Sequence, residues 1–411
     1  MDIPVHPKVR SVDCFPAEVS GRRMICLRDP LSYSDRTLVV TEPTFYVISL
    51  LDGHHSFLDI QAAYMRHYGD LLFQEKIGEI VTQLDDHLFL ENERFLQHRA
   101  AAEAKFMANP LREPFLAGKS YESEPSKLRA QISSFFESPE GPGKLRREGS
   151  TEGTLSGAIV PHIDYARGGF CYAWAYQEIR ECSDADIFVI LGTLHTEAST
   201  PFIATRKGFS TPLGDVETDQ EFVVALAEEC SFDLFAEEAA HRAEHSLELQ
   251  VVFLRYIFGQ ERSIKIVPIL CASFHEFADT GLSPLQDSRI SSFLTSLKKE
   301  VSFRKERVCI LASADLAHMG PRFGDRTPLG ESDWRSLAHE DRQTIEKIEK
   351  MDVDAFFQEM HRENHRRKIC GVSAIYALLT AVTASRGKLL KYGRWPDPQG
   401  TVTYASVGFY R

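Results

Sequence analysis

The stretch LSGAIVPHIDYARGGFCYAWAYQEIRECSDADIFVILGTLH, residues 155–195, decides the fold class. Its two apolar runs, 158–160 and 187–191, are rich in β-branched residues and lack polar alternation, as parallel strands buried on both faces do. Residues 173–182 between them suffice for a crossover helix, so the unit reads strand–helix–strand. Each run stops at a histidine: Pro161-His162 after the first, Gly192-Thr193-Leu194-His195 after the second. In such a unit the carboxyl ends of both strands share one rim of the sheet, where open α/β folds bind their ligands. The two imidazoles are therefore predicted to be neighbours in space. Either histidine alone reads equally well as a strand end bonded to backbone; the shared topological position argues for a site.

Working outward, 264–270 and 308–312 are further runs of the buried type. The second leads into Ser313-Ala314-Asp315-Leu316-Ala317-His318, a carboxylate and an imidazole three apart at another strand end. His245 opens a helix with Leu247, Val251, Leu254 and Phe258 on one face. Cys370 follows the basic run 362–368 and precedes Gly371 and an apolar helix, 372–383. His162, His195 and Cys370, lined by Asp315 and His318, make a candidate metal or catalytic pocket. Imidazoles with a thiolate suit iron, copper or zinc rather than magnesium or calcium. Arg366, Arg367 and Lys368, with a helix N-terminus, are expected to favour the Cys370 thiolate. Simpler readings stand beside these: Cys370 as a small packed residue, Asp315 as a helix N-cap, His318 as an imidazole oriented by Asp315. His241, His275, His339 and His361 read as surface or satisfied residues.

Residues 1–98 read as a separate small α+β domain, 99–116 as a linker and 117–411 as the main α/β domain. In the small domain, 24–27 and 38–40 are strand-like, and Thr41 and Ser56 are candidate N-caps for helices ending near residues 51 and 68. A third helix, 74–87, carries Ile77, Ile80, Val81 and Leu84 at helical spacing. The 47 Lys and Arg against 59 Asp and Glu leave a net charge of −12, which disfavours a nucleic-acid partner. No run of eighteen apolar residues and no apolar leader occur, so no membrane partner and a cytoplasmic location are expected. Eight cysteines without CxxC spacing fit reduced thiols better than a disulfide framework.

The segments AGKSYESEPSKLRAQI (from Ala117), IVPHIDY, ILGTLH, STPLGDVETDQ, AEHSLELQ, ASADLAHMG and ICGVSAIYALL occur in an order that resembles the Memo-like family, in the form of AmmeMemoRadiSam system protein B. The resemblance covers about residues 111–411. It implies a helix-flanked sheet similar to class III extradiol dioxygenases, with a transition metal, iron or copper before zinc. The metal would be held by His162, His195 and Cys370, and His245, Asp315 and His318 would line the pocket with acid–base and orienting roles. It further implies either a metal-dependent redox or dioxygenase-type enzyme working with a radical-enzyme partner, or a non-catalytic metal-carrying or peptide-binding scaffold. The order LLDGHHSFLDIQAAYMRHYGD…IVTQLDDHLFLEN resembles winged-helix domains of the PqqD-like type, which implies a peptide or protein partner there. Three motifs depart from the family pattern: Ile163-Asp164 stand where the family usually has Ala-Gly, Leu194-His195-Thr196 where many members have Ser-His-His, and Val252 where proline is expected.

Overall fold

In the computed structural model, which describes residues 5–146, 153–259, 262–304 and 307–411, the chain divides into two units, Met1–Ala108 and Asn109–Arg411. The first begins with an antiparallel sheet, β1 (Asp13–Val19), β2 (Arg22–Arg28) and β3 (Thr37–Val40), in that spatial order. Four helices follow: α1 (Glu42–Ser49), α2 (Phe57–Tyr68), α3 (Gln74–Asp86) and α4 (Glu93–Ala108). Thr41 caps α1, and Ser56 with Asp59 forms a capping box on α2, as their residue types predict. Ile77, Ile80, Val81 and Leu84 form one stripe of α3 and pack with Leu27, Val47, Ile48 and Ile60. Strand β1 was not legible in the sequence, since DCFPAEV carries a proline and is mostly exposed, the properties of an edge strand.

The second unit opens with β4 (Leu111–Arg112), α5 (Pro125–Glu137), β5 (Leu155–Val160), α6 (Tyr165–Cys182) and β6 (Ile187–Thr193). Next come β7 (Phe202–Ala204), β8 (Gly208–Phe209), β9 (Glu217–Thr218), α7 (Gln220–Glu229), α8 (His245–Phe258), β10 (Lys265–Cys271), α9 (His275–Thr280) and α10 (Ser288–Phe303). The remainder holds β11 (Val308–Ser313), β12 (His318–Met319), α11 (Glu331–Glu349), α12 (Val353–Arg362), α13 (Val372–Ala381), β13 (Arg386–Trp395) and β14 (Thr401–Tyr410). One nine-stranded sheet runs β12-β14-β5-β11-β6-β10-β7, with β13 on β14 and β9 on β10. Strands β5, β11, β6 and β10 are parallel and β14 is antiparallel to β5.

The unbroken apolar runs make sense in this sandwich. On β6, Ile187, Val189 and Leu191 face the layer of α7, α10 and α13, whereas Phe188 and Ile190 face that of α5, α6 and α8. Alternate residues thus enter two separate cores, and neither face of the strand tolerates a polar side chain.

One expectation needs adjusting, and two further features refine the sequence reading. The crossover helix begins at Tyr165, not residue 173, because Asp164 marks the turn and Gly168 and Gly169 are accepted inside it. Strands β5 and β6 are not direct neighbours; β11, which arrives over a hundred residues later, lies between them. The segment 99–116, read as a linker that is helical and then proline-bearing, is helical to Ala108, and Leu111–Arg112 pairs with Gly208–Phe209. Arg112 is buried against Glu248, which also accepts from the Phe115 and Leu116 N–H groups and the Tyr121 hydroxyl. These bonds tie residues 111–121 into the second unit. A chain beginning at Asn109 is therefore expected to fold alone, with a cooperative melt and wild-type metal retention. One beginning after Glu113 should be poorly soluble, since removing Arg112 leaves Glu248 buried without its cation. Circular dichroism and bound-metal analysis of the two fragments check this.

Candidate metal centre

The pocket is assembled where the parallel strands end. His162 follows β5, His195 follows β6 and Asp315 follows β11, so the three residues occupy equivalent places on one rim. The His162 and His195 rings lie 4.9 Å apart. A third imidazole, His245 at the start of α8, stacks on His195 at 4.5 Å and meets His162 at 5.3 Å. One nitrogen of each of the three histidines lies within 4.8 Å of the others, a group that can hold a metal ion. Close approach of α8 to β6 depends on Gly192, where a Cβ would stand 2.7 Å from Ser246 Oγ and 2.8 Å from Leu247.

The hydrogen bonds behind the rings decide which nitrogens face the centre. His162 Nδ1 lies 3.0 Å from the Ser313 carbonyl oxygen, an acceptor only, so Nδ1 carries the hydrogen and Nε2 a lone pair. The Glu244 carboxylate receives both His195 Nδ1, at 3.1 Å, and His245 Nδ1, at 3.1 Å. It also accepts from the His195 and Ser246 N–H groups, capping α8 in the same act. Burial would push the Glu244 carboxyl up, but the two imidazoles hold it well below the usual carboxylate range. A carboxylate behind a ligating imidazole is the usual support of a metal site. Here one carboxylate supports two. Sequence reasoning missed it, because a glutamate before a helix also reads as an ordinary cap.

Cys370 Sγ is 3.2 Å from His162 Nε2. Gly371 allows this, since a Cβ there would meet that of Ala314 at 2.3 Å. The expected basic setting of Cys370 is rearranged. Arg366 pairs with Glu340, Arg367 with Asp341 and Glu363, and Lys368 with Asp325, so His162, not a cation, faces the sulfur. Asp315 caps no helix. Its Oδ1 accepts from the His162 and Ile163 N–H groups at 2.9 and 3.3 Å, and its Oδ2 stands 3.7 Å from His162 Nε2. Burial alone would lower the His162 pKa, but the facing Asp315 and Cys370 outweigh it and raise it. His318 points Nδ1 at the Leu316 carbonyl oxygen, 3.2 Å away, and burial brings its pKa down to about 4. Asp164, the added carboxylate of this sequence, is half-exposed and pairs with Arg167.

If Cys370 completes the ligand set, metal should protect it. In metal-free protein it is expected to alkylate faster than buried Cys171, Cys271 and Cys309, whose thiols burial pushes up to about 12 or beyond. Bound metal should slow Cys370 at least ~10-fold, as a coordinated sulfur has its lone pair engaged. Mass spectrometry of each cysteine with and without metal reads this out; equal labelling in both states would leave His162, His195 and His245 as the set.

A family model described as Memo-like protein matches residues 112–409. A MEMO1 family protein of Aquifex aeolicus is 28% identical over 99% of this chain and 100% of its own length. MEMO1 family proteins of Methanopyrus kandleri and Caldivirga maquilingensis are 31% and 32% identical, each over 73% of this chain and 99% of its own length. These two relatives thus match over almost their whole length but cover only about three quarters of this chain. No helix among the described residues is long and apolar enough to cross a membrane.

Proposed function

The chain belongs to the Memo-like family, and on that premise we propose that it is a redox enzyme dependent on a bound transition metal. The observation that carries this reading is the donor set: three imidazoles with their Nδ1 hydrogens tied back and a cysteine sulfur beside them. Nitrogen and sulfur donors fit iron or copper, with zinc as the redox-silent alternative, and do not suit magnesium or calcium. His162, His195 and Cys370 hold the metal, and His245 stands by as the acid–base group or a fourth donor. A bound iron or copper ion supplies one-electron chemistry and polarises an oxygen ligand. His318, neutral near pH 7, offers its Nε2 lone pair as a hydrogen-bond acceptor to a group entering the pocket. Asp315 holds the His162 backbone, and Glu244 fixes the tautomers of His195 and His245. The test is metal analysis of anaerobically purified protein followed by oxygen uptake in the presence of ascorbate. Roughly one equivalent of iron or copper and uptake that disappears in His195→Ala support the proposal. Zinc alone, with no uptake, overturns it.

A second reading concerns the first unit. Strand β3 pairs on one side only among the described residues, and the same unit exposes Leu58, Met65, Leu71 and Phe73. We propose that this unit, in the manner of PqqD-like domains, adds a peptide as an extra strand and docks a radical-enzyme partner or its substrate. Loss of partner binding on Val39→Pro, with the pocket untouched, is the matching test; unchanged binding would exclude β3 as the docking edge.

A further inference from the structure

A second pair of imidazoles stands apart from the three grouped histidines of the pocket. His275 opens α9, and His365 sits in the segment between α12 and Cys370. Their Nδ1 atoms are 2.9 Å apart, with ring planes at 86°. The other nitrogen of His365 is committed: Nε2 faces Asp279 Oδ1 at 3.2 Å and the His275 carbonyl oxygen at 3.3 Å. Both are acceptors, so the hydrogen of neutral His365 resides on Nε2 and the Nδ1 lone pair is aimed at His275. The backbone that presents this ring is strained, with Asn364 at φ 49° and His365 at φ 52°. Left-handed conformations at such residues persist when their surroundings over-determine them, and they cluster at ligand clamps.

We propose that His275 and His365 form a second transition-metal site, binding a divalent ion through both Nδ1 atoms with Asp279 supporting His365. Two metal–nitrogen bonds of about 2.0–2.1 Å that meet near a right angle span about 2.9 Å, the separation seen. Right-angled neighbours belong to square-planar or octahedral ions, so nickel(II) and copper(II) fit better than tetrahedral zinc. The exchange balances: the ion replaces the hydrogen between the two nitrogens, which moves to the other nitrogen of the exposed His275 ring. Burial against its neighbours and the facing His365 lower the His275 pKa, which keeps that ring neutral and available as a donor. The Asp279 carboxylate behind His365 repeats the relation of Glu244 to the pocket histidines. Because His365 lies five residues before Cys370, the ion would also pin the segment that carries the sulfur.

The experiment uses the full chain with His162→Ala and His195→Ala, so that the pocket is disabled, and nickel(II) chloride as the probe. Equilibrium dialysis with elemental analysis is expected to give roughly one equivalent of nickel in this background. Adding His275→Ala or His365→Ala should weaken uptake at least ~10-fold, and Asp279→Ala several-fold. His275 is exposed, so its variant leaves the core intact and remains decisive if the His365 variant folds poorly. No nickel uptake in the background, or uptake that His275→Ala leaves unchanged, overturns the proposal.

Discussion

Replacing His162 or His195 by alanine is expected to lower metal retention more than ~100-fold, beyond the 10–100-fold that loss of a supporting partner costs. Each histidine supplies one of few donors, each on the rim where the parallel strands end. Glu244→Gln should fall within the 10–100-fold range although Glu244 is not proposed to touch the metal. A glutamine accepts through one oxygen only, so one of the two Nδ1–H groups loses its acceptor and that ring is free to turn. Protons compete with metal for Nε2. Because the His162 pKa is raised above its ordinary value, this competition begins early as the pH falls, so retention drops through the slightly acidic range. The melt of metal-free protein should stay close to wild type in all three variants. Metal content after dialysis, read beside thermal melting, separates the outcomes; a variant that unfolds when metal-free would show that the histidine serves the core.

The second large effect is expected at Arg367, which is fully buried. Its guanidinium donates to Asp341 at 2.8 Å, Thr344 at 2.9 Å, Glu359 at 3.1 Å and Glu363 at 2.6 Å. Its carbonyl oxygen accepts from the His318 N–H at 2.7 Å, so one residue holds both the acidic cluster and a wall of the pocket. Arg367→Leu strands Asp341 and Glu363 without their cation, while Glu359 keeps Lys347; breaking a buried pair costs about 3–5 kcal/mol. Burial already raises the Asp341 and Glu363 pKa values, with Arg367 opposing. A carboxyl whose folded pKa is raised destabilises the fold above its unfolded pKa and is relieved as the pH falls and it takes up a proton. The deficit of Arg367→Leu should therefore shrink on acidification from pH 7 toward the raised carboxylate range. Urea unfolding at several pH values reads this out. A loss under about 1 kcal/mol at pH 7 would mean the network is no stronger than an exposed ion pair. Arg367→Lys should recover part of the stability but not all of it, since an ammonium cannot reproduce the planar fork of donors.

The strand–helix–strand core of the second unit was legible in the sequence because a strand buried on both faces must be apolar throughout, and few other elements read that way. The placement of His162 and His195 followed, since the ends of parallel strands share a rim whatever lies between them. His245 was legible as a helix start and Cys370 as lying just before one, and the ordered motifs pointed to the family that the comparison bears out. Tertiary structure alone decided the rest. That β11 separates β5 from β6, and so delivers Asp315 to the His162 backbone, depends on strand order, which periodicity does not encode. That His245 joins the two strand-end histidines depends on α8 closing over Gly192, a contact between segments fifty residues apart. The double role of Glu244 and the pairing of Arg366, Arg367 and Lys368 with carboxylates were hidden for a common reason. A charged residue is written the same way whether water or a distant partner surrounds it, and only the packed chain settles which.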